Sequence, residues 1–184
     1  MKKPIIAPVE DNFNKGKTYS RLIEQYNSAM EEGFYGEAEL IVYAFLEDRL
    51  RSFLYYSEGL DHWNSPYINE NMQKVYGGEL KIYDIGCKLT VIEKALKIAL
   101  SAESDHEDEY LLFLRTVYNA SLDIKKFQNT IKQIRKWCDY RNEVVHAMFN
   151  KDLDVLRKGF KEHVETGFQY ARVVDAQVRK LKNS

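Results

Sequence analysis

The stretch Tyr35–Tyr56 limits the fold more than any other part of the chain. Leu40, Ile41, Val42, Ala44, Phe45, Leu46, Leu50, Phe53 and Leu54 recur at helical spacing and cover more than half of a helix circumference. A helix this apolar has to lie at the centre of a bundle, or face a core on one side and a second chain on the other. The whole chain holds nine glycines and three prolines in 184 residues, so little interrupts long helices, and an all-β fold is disfavoured. The expected fold class is all-α, an up-and-down bundle of five to six helices.

Five more helices follow from periodicity. Thr18–Glu32 has Thr18 as its cap and Gly33 as its stop. Lys88–Ala102 carries a Leu89/Ile92/Leu96/Leu100 stripe, and Glu107–Asn119 is short and apolar after an acidic link in which Ser104 or Asp105 can cap. Leu122–Phe149 and Leu153–Leu181 are long, the latter with Leu156, Phe160, Val164 and Phe168 in register and cations in its last turns. Residues 1–17 read as an N-terminal arm and 18–184 as one domain. Gly59–Gly86 reads as a long irregular segment. Its aromatics, Trp63, Tyr67 and Tyr76, would either stack on bases or pin the segment to the bundle, and the second reading is favoured.

A net charge of −1 excludes a general electrostatic drive toward nucleic acid, so any basic binding surface has to be local. No apolar run has the roughly 20 residues of a membrane span, and the start lacks a signal-peptide pattern; a cytoplasmic protein is expected. Cys87 and Cys138 read as free buried thiols. His62 stands alone, and His106 among acids lacks an oxygen-ligand pattern, so no metal site and no cofactor are expected.

The chemistry concentrates in W-C-D-Y-R-N-E-V-V-H-A-M-F, Trp137–Phe149. Phe127, Ile131, Ile134, Cys138, Arg141, Val145 and Met148 step by three and four, which sets Arg141 on the apolar stripe of its helix. A buried arginine needs a partner. Glu47 and Asp48 of the apolar helix are candidates for holding it, or Arg141 lines a cleft or subunit interface. His146 lies about 140° around the helix from Arg141, on the side of Lys125, Lys132, Arg135 and Asn142, with Lys136 at the margin. That basic strip could follow a phosphate backbone or form a solvated helix face. Asn142, four residues before His146, is spaced to orient the imidazole. One straight helix does not aim Arg141 and His146 at one atom; a two-fold dimer would bring two sets into one cleft.

R-N-E-V-V-H, Arg141 to His146, on a late helix of an all-α domain, together with F-L-E-D-R-L, Phe45–Leu50, resembles the HEPN superfamily. The resemblance implies a helical bundle that dimerises through a joint Arg–His cleft. It further implies a metal-independent endoribonuclease of toxin–antitoxin, antiphage or CRISPR-associated systems, with an antitoxin or defence-system partner protein. The alternative it leaves is a non-catalytic module that binds RNA, a nucleotide or a protein. In one toxin subgroup a tyrosine follows the histidine by two residues and is modified by a partner; Met148 stands there in this chain, against that mode of regulation. The implied roles are a proton carrier for His146, transition-state charge stabilisation for Arg141, and orientation for Asn142. The RNA itself supplies the nucleophile, its 2′-hydroxyl.

Overall fold

The structure, a computed structural model, describes residues 12–101, 108–147 and 153–183, the side chains of 12–15, 145–147 and 153–158 excepted. The described residues form seven helices and no strand: α1 (Asn12–Glu32), α2 (Tyr35–Tyr56), α3 (Glu70–Tyr76), α4 (Ile85–Leu100), α5 (Glu109–Ser121), α6 (Ile124–Ala147) and α7 (Leu153–Asn183). The all-α bundle expected from periodicity is the observed architecture. Helix α2 is central, as its apolar girth requires. It packs most extensively along α7 and also against α1 and α4, while α6 lies on α4 and α7. Val42, Leu46, Leu50, Phe53 and Leu54 of α2 are fully buried, and Phe53 meets Tyr118 of α5 and Phe127 of α6 in one aromatic cluster.

Several boundaries differ from the periodic reading: α4 begins at Ile85 rather than Lys88, α5 ends at Ser121 rather than Asn119, and α6 begins at Ile124 rather than Leu122. Helix α1 begins at Asn12, so residues 12–17 are helical rather than part of an arm. Tyr19 tilts against Phe45 of α2 at 5.5 Å, and such packing overrides the weak intrinsic preference of Gly16 and Asn14. The irregular segment contains a seventh helix, α3. The Asn69 side chain caps it, accepting from the Met72 amide at 2.8 Å. Gly77, at φ 88°, closes it with its amide on the Gln73 carbonyl. Ile68, Met72 and Ile82 bury this segment against the bundle, and Trp63 packs edge-on to Tyr55 at 5.7 Å. Its aromatics therefore include anchors; Tyr83 is the exposed one, at 66%.

Side-chain caps mark the starts of α4 and α5. The Asp84 carboxylate accepts from the Cys87 amide at 2.7 Å, and that bond holds its pKa below the ordinary carboxylate value. Asp108 caps α5; Ser104 and Asp105 lie outside the described residues, as does His106. Among the described residues no helix is long and apolar enough to cross a membrane.

Candidate active site around Arg141

Helix α6 runs through the expected stripe: Ile124, Phe127, Ile131, Ile134, Trp137 and Val144 are buried. Arg141 continues the stripe and is half-buried, with 21% of its side chain exposed. Its guanidinium lies over the Tyr43 ring of α2, 4.4 Å from Cζ to the ring centroid. Its Nη1 donates to Asn142 Oδ1 at 3.3 Å. Its Nε is buried, lies 4.0 Å from Glu39 Oε1 and has no hydrogen-bond partner. The arginine is thus fixed by a ring face and a nearby carboxylate, and its Nε–H remains uncommitted.

The acid that faces Arg141 is Glu39, not Glu47 or Asp48. Glu47 accepts from Lys88 Nζ of α4 at 2.8 Å. Asp48 accepts from Arg49 and from the Tyr19 hydroxyl. Helical phase explains the correction. Glu39 shares the inward stripe with Val42 and Leu46, three and seven residues on, whereas Glu47 and Asp48 sit off it toward α4 and α1. A carboxylate on a core stripe was the signal available in the sequence, the counterpart of a guanidinium on the stripe of α6.

Glu39 is almost fully buried and has a second partner, His163 of α7, whose Nε2 lies 3.2 Å from Glu39 Oε1. The sequence reading missed His163 because it stands beside the Phe160/Val164 stripe like an ordinary core residue. Its ring stacks on Trp137 (centroids 4.8 Å apart, planes at 10°), and Phe160 lies parallel on it at 6.0 Å. Trp137 Nε1 donates to the His163 carbonyl at 2.9 Å. Gly167, one turn further on α7, makes room for the indole. Burial beside this cluster pushes the Cys138 thiol up to about 12, with Asp139 adding and Arg141 opposing. Burial likewise raises Tyr43, again against the pull of Arg141.

The other expected residues divide. His146 lies in the last turn of α6, but its side chain, like Met148, falls outside the described residues. Asn142 is exposed and engages Arg141. Lys125, Lys132 and Lys136 are exposed. Arg135 is not available in the same way: it grips both carboxylate oxygens of Glu93 at 3.0 and 2.9 Å and donates to Thr90 at 3.0 Å, tying α6 to α4. Among the described residues no three His, Cys, Asp or Glu side chains group as metal ligands. No family model, no curated protein and no solved structure matches the chain.

Proposed function

We propose that the protein is a metal-independent endoribonuclease that acts as a homodimer, with Arg141, Asn142 and His146 of both copies forming the cleft. The observation that carries this reading is the state of Arg141. It is a half-buried cation held over Tyr43 and near Glu39, with 21% of its side chain open to solvent. A preorganised guanidinium of this kind suits the charge that develops on a phosphorane, since its donors are in place before the reaction. The RNA 2′-hydroxyl would attack the adjacent phosphorus, and the bond to the 5′-oxygen would break, leaving a 2′,3′-cyclic phosphate and a 5′-hydroxyl. His146 would take the proton from the 2′-oxygen or give one to the departing 5′-oxygen. Asn142 would orient the histidine or the phosphate.

Two further features support the dimer and the substrate. Leu40 is 62% exposed one turn from Tyr43 on α2, an apolar side chain beside the site that a second copy would cover. Lys125, Lys132 and Lys136 offer phosphate contacts along α6. We assign the enzyme to a cytoplasmic toxin or defence role, restrained by an antitoxin or defence-system protein.

Purified protein should cut RNA in EDTA and leave cyclic-phosphate ends, and Arg141→Ala and His146→Ala should each abolish cutting. Folded, dimeric protein that cuts no RNA overturns the assignment. Glu39 favours one second reading: a carboxylate near Arg141 suits an internal strut in a non-catalytic RNA-binding module. That reading predicts salt-dependent RNA binding without any cleavage, unchanged by His146→Ala.

A further inference from the structure

A sizeable hollow of the molecule lies away from Arg141. It is a groove of about 630 Å³ between α1, α2 and α7, within the size range of small-molecule sites. Tyr19, Phe45 and Phe168 form an aromatic side. Phe168 is stacked on Tyr26 on its inner side, centroids 4.2 Å apart, and tilted to Phe45 at 6.4 Å. Arg172 and Arg179 continue the same α7 wall beyond Phe168 and are exposed, so cations adjoin the aromatic side. A smaller hollow of about 230 Å³ shares Tyr19, Asp175 and Arg179 and adds Arg49 and Lys182. Glu39 at the Arg141 site and Arg49 beneath this groove are ten residues apart on α2, or about 15 Å along the helix.

Among the described residues the charges of the groove and of the smaller hollow beside it do not cancel. Arg172 and Arg179 line the groove, and Arg49 and Lys182 line the smaller hollow, four cations in all. Two carboxylates stand against them: Asp48, which accepts from Arg49, and Asp175, which is shared. Asp175 accepts from buried Arg49 at 3.1 Å on one oxygen and from Arg179 at 2.7 Å on the other. Two positive charges are left over, in a chain whose net charge is −1. Arg179 is 77% exposed and so keeps donors for a ligand beyond its bond to Asp175. A carboxylate would neutralise half of this surplus. A phosphate monoester, with about −1.5 to −2 charge near neutral pH, matches it and fits the guanidinium fork. The aromatic side supplies a face for a flat ring, which inorganic phosphate would leave unused.

We propose that this groove binds a phosphate monoester borne on a flat aromatic or heteroaromatic body, the ring against Tyr19 and Phe168 and the phosphate at Arg172 and Arg179. The chemistry has two sources, a free mononucleotide-like molecule or the phosphorylated end of a nucleic acid. The site stands apart from the RNA-cutting reading, because none of its residues lies at Arg141.

Calorimetric titration of the full chain tests it, with the nucleoside 5′-monophosphates, phenyl phosphate, adenosine and inorganic phosphate as probes. At least one ring-bearing phosphate should bind saturably and at least about tenfold tighter than adenosine or inorganic phosphate. Arg172→Gln and Arg179→Gln, both at exposed positions, should each weaken it about tenfold. Ala176→Trp should block the groove while keeping every charge. Circular dichroism checks that each variant is folded. Saturable binding by none of the ring phosphates, or equal binding of inorganic phosphate, overturns the proposal. So does affinity unchanged in both arginine variants. Short oligodeoxynucleotides, which lack the 2′-hydroxyl, separate the sources: a 5′-phosphorylated strand that outbinds the mononucleotide assigns a chain end, and weaker binding assigns a small molecule.

Discussion

Gly167→Ala is the sharpest test of how the bundle holds the candidate site. Gly167 is buried in α7 where α2, α6 and α7 meet. A Cβ there would lie 2.4 and 2.6 Å from Cζ2 and Cε2 of Trp137 and 2.9 Å from Cγ1 of Val42. All three distances are below what carbon atoms tolerate, so the indole or a helix has to move. The indole cannot simply withdraw: its N–H is bonded to the His163 carbonyl at 2.9 Å, and its face covers the His163 ring. Alanine gains about 1 kcal/mol of helix preference over glycine. Overpacking a core costs about 1–3 kcal/mol, and loosening the Trp137 hydrogen bond adds about 1 kcal/mol. The net expectation is a loss of about 2 kcal/mol, a fall in Tm of about 4–8 °C for a chain of this size. Urea unfolding followed by far-UV circular dichroism measures it, and near-UV dichroism should report the displaced tryptophan. Gly36→Ala is the control. It lies in α2 with no atom within 4 Å of the added Cβ, and it should stabilise by about 0.5–1 kcal/mol. A Gly167→Ala protein as stable as the parent would refute the close approach of the three helices and the seating of Trp137 on His163.

Other perturbations follow from the same contacts. Lys88 is fully buried on Glu47, so Glu47→Ala should cost about 2 kcal/mol by stranding a cation, whereas Lys88→Met should stay within about 1 kcal/mol of the parent in urea unfolding. The Cys138 thiol is raised by burial from 9.0 to about 12, and burial also raises Tyr110 and Tyr118. The unfolded chain therefore loses these protons first, so the urea midpoint should hold to about pH 9 and fall steadily above it; a flat midpoint to pH 11 contradicts the burial of these groups. Arg135→Gln should lower stability, because it releases Glu93 and Thr90. Lys132→Gln should leave stability unchanged and reduce the salt dependence of RNA binding by about one unit of slope.

The architecture was legible because its signals are local. The apolar girth of Tyr35–Tyr56 marked α2 with both ends in place, and it became the central helix. Helix α3 went unread because a helix of seven residues has too few turns to show a period. Its mark was the pair of caps, Asn69 before it and Gly77–Gly78 after it. The position of Arg141 on the inner stripe was also local, a matter of phase along one helix. Its carboxylate neighbour was not: Glu39 precedes Arg141 by about a hundred residues, and only the packing of α6 across α2 decides which acid it meets. Proximity in sequence to the apolar centre favoured Glu47 and Asp48, and the turn of the helix pointed both elsewhere.

Two buried cations of this bundle, Arg49 and Lys88, are paired differently from Arg141. Arg49 closes on Asp48 and Asp175, and Lys88 on Glu47, at hydrogen-bond distance. Such pairs satisfy their charges internally and fix which helices lie side by side, at the desolvation cost usual for buried ions. Arg141 does not close in this way. Its Nε stops 4.0 Å short of Glu39, which is already in contact with His163 at 3.2 Å. A bundle that needed only a strut would gain by shortening that gap, since an unbonded buried N–H costs about 1–3 kcal/mol. Holding the guanidinium by a ring face and a distant carboxylate keeps its charge in place while 21% of its side chain stays open to solvent, as the proposed anion-binding role of Arg141 requires.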